Sequence, residues 1–188
     1  MRKLIYAFSV SLDGYIEGPN GDLDWSTPDA EEHQHFNDMD RALGGQLYGR
    51  RLYELMSAFW PTADQDPSEP EVIREYARIW RAMPKYVFST TLKNVEWNST
   101  LVNGDTEQAV RKLKDQPGRD LSVGGASLAN SMLRLGLIDE CWLYLRPVIL
   151  GGGKPMFGPL PAPIKLSLLE TRHISQRLQL LRYQVAAS

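Results

Sequence analysis

The chain has 188 residues, 43% hydrophobic and 23% charged, with 15 glycines and 12 prolines; this is ordinary globular usage and excludes a disordered or fibrous chain. One domain spanning 1–188 is expected, long enough to bury its own core. Its 21 basic and 23 acidic side chains sum to −2, so the broad basic surface that phosphate backbones require is absent and nucleic acid is not an expected partner.

Leu4 to Val10 is apolar on both faces and predicts a buried strand. Two basic residues precede it, as in a signal peptide, but Asp13-Gly14 interrupts the run and no small-residue cleavage pattern follows. No run approaches the ~18 apolar residues of a membrane span, so a soluble, cytoplasmic protein is expected. Gly14 to Gly21 reads as a flexible loop. Thr27 can cap a helix with Pro28 at its first position and Asp29, Glu31 and Glu32 in its first turn. Phe36, Met39 and Leu43 stripe that helix, and Gly44-Gly45 ends it.

A short strand at Gln46–Gly49 leads into a helix over about Arg50–Phe59, and an acidic, proline-rich loop follows over Pro61–Pro70. A helix is expected at Val72–Ala82, a strand at Tyr86–Ser89, and a helix at Thr106–Lys114. Leu121–Val123 reads as a strand that turns through Gly124-Gly125 into another helix. Cys141–Leu150 reads as one long apolar strand, and Lys165–Ile174 with Leu178–Val185 as a terminal hairpin. Strands alternating with helices predict a mostly parallel α/β sheet with an antiparallel addition.

Three segments invite chemistry. Val123 to Leu128, a glycine turn between strand and helix, suits a phosphate held on open helix amides, or simply a tight turn. Arg50 and Arg51 open a helix against its dipole; a bound anion would explain them, as would a solvated face with Arg50 and Glu54 paired at i,i+4. Leu150 to Pro155 imitates a phosphate loop, but Pro155 stands where a hydroxyl residue should bind magnesium, which favours a structural turn. Metal and nucleophile chemistry find little support. Cys141 is the one cysteine, His33 and His35 point to opposed helix faces, and no metal is expected.

In order along the chain, Ser9 to Ile16 with Gly21 to Trp25, Tyr48 to Glu54, Val87 to Thr91, Val123 to Leu128 and Leu150 to Phe157 resemble the dihydrofolate-reductase-like family. The closer resemblance is to the C-terminal reductase domain of the bifunctional riboflavin-biosynthesis deaminase/reductase and its free-standing relatives. It implies a three-layer α/β/α fold and NADPH lying across the carboxyl ends of the central strands. Gly124 and Gly125, with the helix begun by Ala126, Ser127 and Leu128, would hold its pyrophosphate. Arg50, with Ser89 and Thr90, would hold the adenosine 2′-phosphate, Gly49 and Arg51 would bind the cofactor beside them, and Ser9, Val10 and Ile16 would border the nicotinamide. The Gly14–Gly21 loop would close as a lid.

Hydride chemistry asks the protein for alignment and one proton. Asp13 is the expected catalytic acid, ahead of Asp29, Glu31 and Glu32, unless it only forms an Asp-Gly turn. No single acid matches the pterin-binding position of dihydrofolate reductases, and the deaminase's zinc set cannot be built from one cysteine. The expectation is an NADPH-dependent reductase of a pyrimidine- or pterin-like small molecule, resembling 5-amino-6-(5-phosphoribosylamino)uracil reductase. Dihydrofolate or another carbonyl or imine is the alternative substrate, and nucleotide binding without turnover the alternative class. A homodimer is expected, with Trp142 or Tyr144 near its contact.

Overall fold

A computed structural model of the chain describes residues 1–186, which leaves the last two residues of the expected domain outside the described part. Leu4–Ser11 forms β1. Leu4, Tyr6 and Val10 enter one hydrophobic cluster while Ile5 and Ala7 enter others, because successive strand residues face opposite ways. A strand apolar on both sides belongs in the middle of a sheet, and β1 lies there.

The remaining elements are β2 (Tyr15–Glu17), α1 (Ala30–Ala42), β3 (Gly45–Gly49), α2 (Arg50–Phe59) and α3 (Glu71–Ala82), then β4 (Lys85–Phe88), β5 (Ser99–Val102) and α4 (Thr106–Asp115). They continue through β6 (Leu121–Gly124), α5 (Ala126–Arg134), β7 (Glu140–Arg146), β8 (Lys154–Pro155), β9 (Leu166–Ser175) and β10 (Leu178–Val185). The main sheet runs β5-β4-β3-β6-β1-β7-β10-β9, parallel through β7 and antiparallel in the terminal hairpin. Val110 and Leu113 of α4 and Met132 of α5 pack on one face; Phe36 and Met39 of α1 and Leu43 just after it, with Tyr76 and Trp80 of α3, pack on the other. The expected α/β sheet with an antiparallel terminal hairpin is therefore the fold. No described helix is long and apolar enough to cross a membrane.

Several boundaries differ from the sequence reading. Helix α1 starts after Asp29, not Thr27: the Asp29 carboxylate accepts from the Glu32 amide at 3.0 Å and Glu32 accepts from the Asp29 amide, a capping box that outcompetes threonine. β7 stops at Arg146 because Pro147 offers no donor to a ladder. β2 and β8 pair as a small ribbon of their own, so the first half of the expected lid is tied down. Tyr144 does not await a second subunit. It is buried under α1, edge-on to Phe36 with ring centroids 4.9 Å apart, and its hydroxyl meets His35 Nε2 at 3.0 Å. Trp142 lies under Arg182, 4.4 Å from ring centroid to guanidinium. The exposed apolar edge is β9 instead, at Leu166, Leu168 and Leu169.

Candidate active site

The strands β4, β3, β6 and β1 are adjacent and parallel, so their carboxyl ends share one edge. Along it stand Ser89-Thr90, then Gly49-Arg50-Arg51, then Gly124-Gly125, then Ser9. The chain moves outward from β3 to β5, returns to β6, and leaves on the other side through β7, and such reversals open a crevice at the strands' carboxyl ends. Helices α2 and α5 begin at that edge with no side-chain cap and no acid in the first turn, whereas Asp29 and Asp105 cap α1 and α4. Their open amides and positive dipole ends make an anion cradle. Gly125 has φ +88, and a Cβ on Gly124 would lie 2.5 Å from Leu52 Cδ2, so glycine at both positions lets α5 start against α2.

The arginines are loosely held. Arg50 reaches Glu54 at 3.3 Å and Arg51 reaches Glu17 at 3.8 Å, both largely exposed, an arrangement worth little by itself. Ser89 Oγ accepts from the Thr91 and Leu92 amides at 3.1 and 3.0 Å and so fixes the turn after β4.

Next to the cradle is a chamber of ≈ 340 Å³ between the sheet and helices α1, α2 and α3. Ser9, Ile16 and Gly124 line it on the cradle side; Phe36, Met56 and Trp60 give it apolar walls. Its one carboxylate is that of Asp40, in the last turn of α1, only 5% exposed. Asp40 Oδ2 accepts from Tyr76 Oη at 2.7 Å and Gln46 Nε2 at 2.8 Å, and Gln46 Oε1 accepts from the Tyr48 hydroxyl. Burial pushes the Asp40 carboxyl up to about 6, outweighing the two bonds that favour its charge. Nearby, Asn37 Nδ2 donates to the Val72 carbonyl at 2.9 Å and to Glu75 at 2.7 Å, which turns Asn37 Oδ1 toward His33 Nδ1 at 3.0 Å. Nδ1 therefore carries the proton and Nε2 keeps its lone pair; burial holds the imidazole below its ordinary value.

Of the residues singled out from sequence, Ser9, Ile16 and Gly124 line the chamber, while Gly49, Arg50, Arg51, Ser89, Thr90, Gly125 and Ser127 stand along the cradle edge. Val10, next to Ser9, faces the other way into the core, as do Ala126 and Leu128, so these three have only backbone to offer a ligand. Asp13 is not an acid of the chamber. Its carboxylate accepts from Ser11 Oγ at 2.7 Å and from the Leu150 and Gly151 amides at 3.1 and 2.8 Å; the Ser11 bond foremost holds it below the usual range, ionised and tying two loops. Glu32 is likewise spent on structure, fully buried with Arg146 Nη1 at 2.7 Å and Ser175 Oγ at 2.5 Å. A Cβ on Gly153 would lie 2.0 Å from the Glu17 carbonyl oxygen, so the Gly151–Lys154 stretch is a structural turn. Sequence reasoning missed Asp40, Gln46, Tyr48 and Tyr76. The one available signal was an acid in a last helical turn, where the dipole opposes it.

The chain matches the RibD C-terminal domain family over residues 2–180. It is 35% identical over 175 residues to YyaP of Bacillus subtilis (strain 168), covering 93% of this chain and 90% of YyaP. Its structure is similar to that of a protein provisionally assigned to riboflavin biosynthesis from Shewanella sp. PV-4, with TM-score 0.77 and 25% identity over 98% of this chain and 99% of that one. It also shares the fold of dihydrofolate reductase from Enterococcus faecalis complexed with NADP(H), with TM-score 0.64 and 12% identity over 97% and 96% of the two chains. Dihydrofolate-reductase-like in fold and related to the reductase half of riboflavin biosynthesis, the chain belongs to the RibD C-terminal domain family.

Proposed function

We propose that this protein is an NADPH-dependent reductase of a small pyrimidine- or pterin-like molecule. The observation that carries the reading is that the anion cradle and the apolar chamber meet, at Gly124 and Leu52. The donor set fits a dinucleotide. Two uncapped helix starts offer amides to the pyrophosphate, and Arg50, Arg51, Ser89 and Thr90 offer polar groups to a 2′-phosphate on the outer strands. When bound, NADPH supplies the hydride. The chain's own residues do the rest: Gly125 and Ser127 hold the phosphates, Ser9 and Ile16 set the border between cofactor and chamber, and Phe36, Met56 and Trp60 exclude water. A lone buried cysteine suits a reducing cytoplasm. We also place the protein in a homodimer, joined along the exposed apolar edge of β9 rather than at Trp142 or Tyr144.

Calorimetric titration with NADPH and NADH tests the cofactor, and NADPH oxidation with 5-amino-6-(5-phosphoribosylamino)uracil and with dihydrofolate tests turnover. NADPH is expected to bind roughly tenfold or more tighter than NADH, as charge-assisted phosphate contacts imply. Equal affinity for both, or no binding of either, overturns the reading.

A further inference from the structure

Helix α1 has a cavity on each side. The chamber lies toward α2 and α3; on the other side a groove of ≈ 640 Å³ runs between α1 and strands β1, β7, β10 and β9. Among the described residues, only Met39 and Tyr144 line both. The floor of the groove is apolar, from Ile5, Leu43, Trp142 and Tyr144. Its carboxylates are taken. Glu140, 2% exposed, accepts from Lys3 Nζ at 2.6 Å, Trp142 Nε1 at 2.7 Å and Arg182 Nη2 at 3.1 Å; Asp120 accepts from the Lys3 amide at 2.8 Å and Asp38 from Arg41 at 2.6 Å. Arg182 is fixed as well, stacked on Trp142 and held by Glu170 at 2.7 Å. Arg119 and Arg172 are not. Arg119 donates Nη1 to the Arg41 carbonyl at 2.9 Å, and Arg172 Nε lies 3.3 Å from Glu170, which leaves most of their N–H groups without an acceptor among the described residues. The two stand apart: Arg172 lines a neighbouring hollow with His35, and Arg119 sits by the last turn of α1, about 9 Å farther along at 1.5 Å per residue. Leu168, in the exposed edge assigned to the dimer, pairs with Tyr183, which alternates with Arg182 and so faces away from the groove. A cation here would meet two unspent guanidinium groups, whereas an acidic group at each end of a flat body would gain a forked contact at either one while its rings covered Trp142.

We infer that this groove is a binding site separate from the chamber, and that it takes an elongated, flat aromatic dianion whose two acidic groups reach Arg172 and Arg119. Trp142 supplies the surface on which its rings lie, and Lys3 and Arg182 stay with Glu140. The chamber has no lysine or arginine among its described lining residues, so charge sorts such a molecule to the groove.

The probe is naphthalene-2,6-dicarboxylate, titrated calorimetrically into the full chain at neutral pH. Its dimethyl ester keeps the rings and loses both charges, and 2-naphthoate keeps one acid. The dicarboxylate is expected to bind, the diester at least roughly tenfold more weakly, and 2-naphthoate in between. Arg119→Ala and Arg172→Ala should each lower the affinity for the dicarboxylate roughly three- to tenfold, and the double variant by the product of the two. Both side chains are exposed, so neither change endangers the fold. Arg50→Ala, at the anion cradle, should leave the affinity as it is, which separates the groove from a dianion held at the start of α2 or α5. No binding of the dicarboxylate, a diester that binds as tightly, arginine variants of the groove without effect, or a loss confined to Arg50→Ala each overturns the inference. NADPH takes no part in these titrations, so a protein that fails to bind NADPH and still gives them overturns the proposed function alone.

Discussion

Replacing Asp40 by asparagine should stabilise the protein, and only above the acid range. The substitution keeps the shape and one carbonyl oxygen, so Tyr76 Oη and Gln46 Nε2 can still donate as they do to Oδ2. What it removes is a charge that the fold resists. The carboxyl moves from an ordinary 3.8 to about 6 on burial, roughly two units at about 1.4 kcal/mol each, so the ionised form costs on the order of 3 kcal/mol. Between these values the folded chain holds the proton that the unfolded chain has released. The wild type is thus most favoured below about pH 4 and loses this stability as pH climbs through about 6. Urea unfolding of both proteins at pH 4, 5, 6 and 7 reads the difference directly. It should be near zero at pH 4 and reach about 3 kcal/mol in favour of Asp40→Asn at pH 7, or roughly 6–12 °C in Tm for a chain of this size. A difference independent of pH, or a variant less stable at pH 7, would show that the carboxylate holds the fold together and would refute the reasoning.

Other expectations follow from the same geometry. Glu32→Gln leaves Arg146 buried without its counterion, so it should cost about 3–5 kcal/mol in denaturant unfolding, while Glu32→Leu with Arg146→Met should recover much of it; a single variant within about 1 kcal/mol of wild type contradicts this. Arg50→Ala should weaken NADPH roughly ten- to a hundredfold in calorimetry and leave NADH unchanged; equal losses for both would place the 2′-phosphate elsewhere. Light scattering should give a dimer that Leu168→Glu splits and Trp142→Glu, beneath Arg182, does not; a monomeric wild type ends the dimer proposal.

How much was legible in the sequence depends on how local the cause was. The limits of α2 and β10 could be read off because glycine and apolar alternation act within a few residues. The cradle motifs were legible too, since uncapped helix starts and paired glycines are short patterns. β2 and β8 were not, being two or three residues long and each defined by the other, more than a hundred positions away; β5, Ser-Thr-Leu-Val, carries no apolar alternation to mark it. The chamber was the least visible. Gln46 and Tyr48 read only as parts of a short strand and Tyr76 as part of a helix, and only the packing of α1 and α3 on β3 turns them into a holder for Asp40. Asp13 misled for the converse reason: its partners, the amides of Leu150 and Gly151, are more than a hundred residues away.

The position of β1 in the middle of the sheet also governs how the chain can be made. Its edges are closed by β6 and β7: the Lys3 amide donates to Asp120, 117 positions later, and the Leu4 amide to Asp139, 135 positions later. At roughly 5–20 residues per second, a ribosome takes on the order of ten seconds to travel from one to the other. Through that interval Leu4, Ile5, Tyr6 and Val10 have neither neighbour strand, and such long-range pairing is slow once it begins. The strand that carries Ser9 to the chamber is thus translated long before the strands that close it, and a nascent chain released before Glu140 would leave its β7 side a free apolar edge.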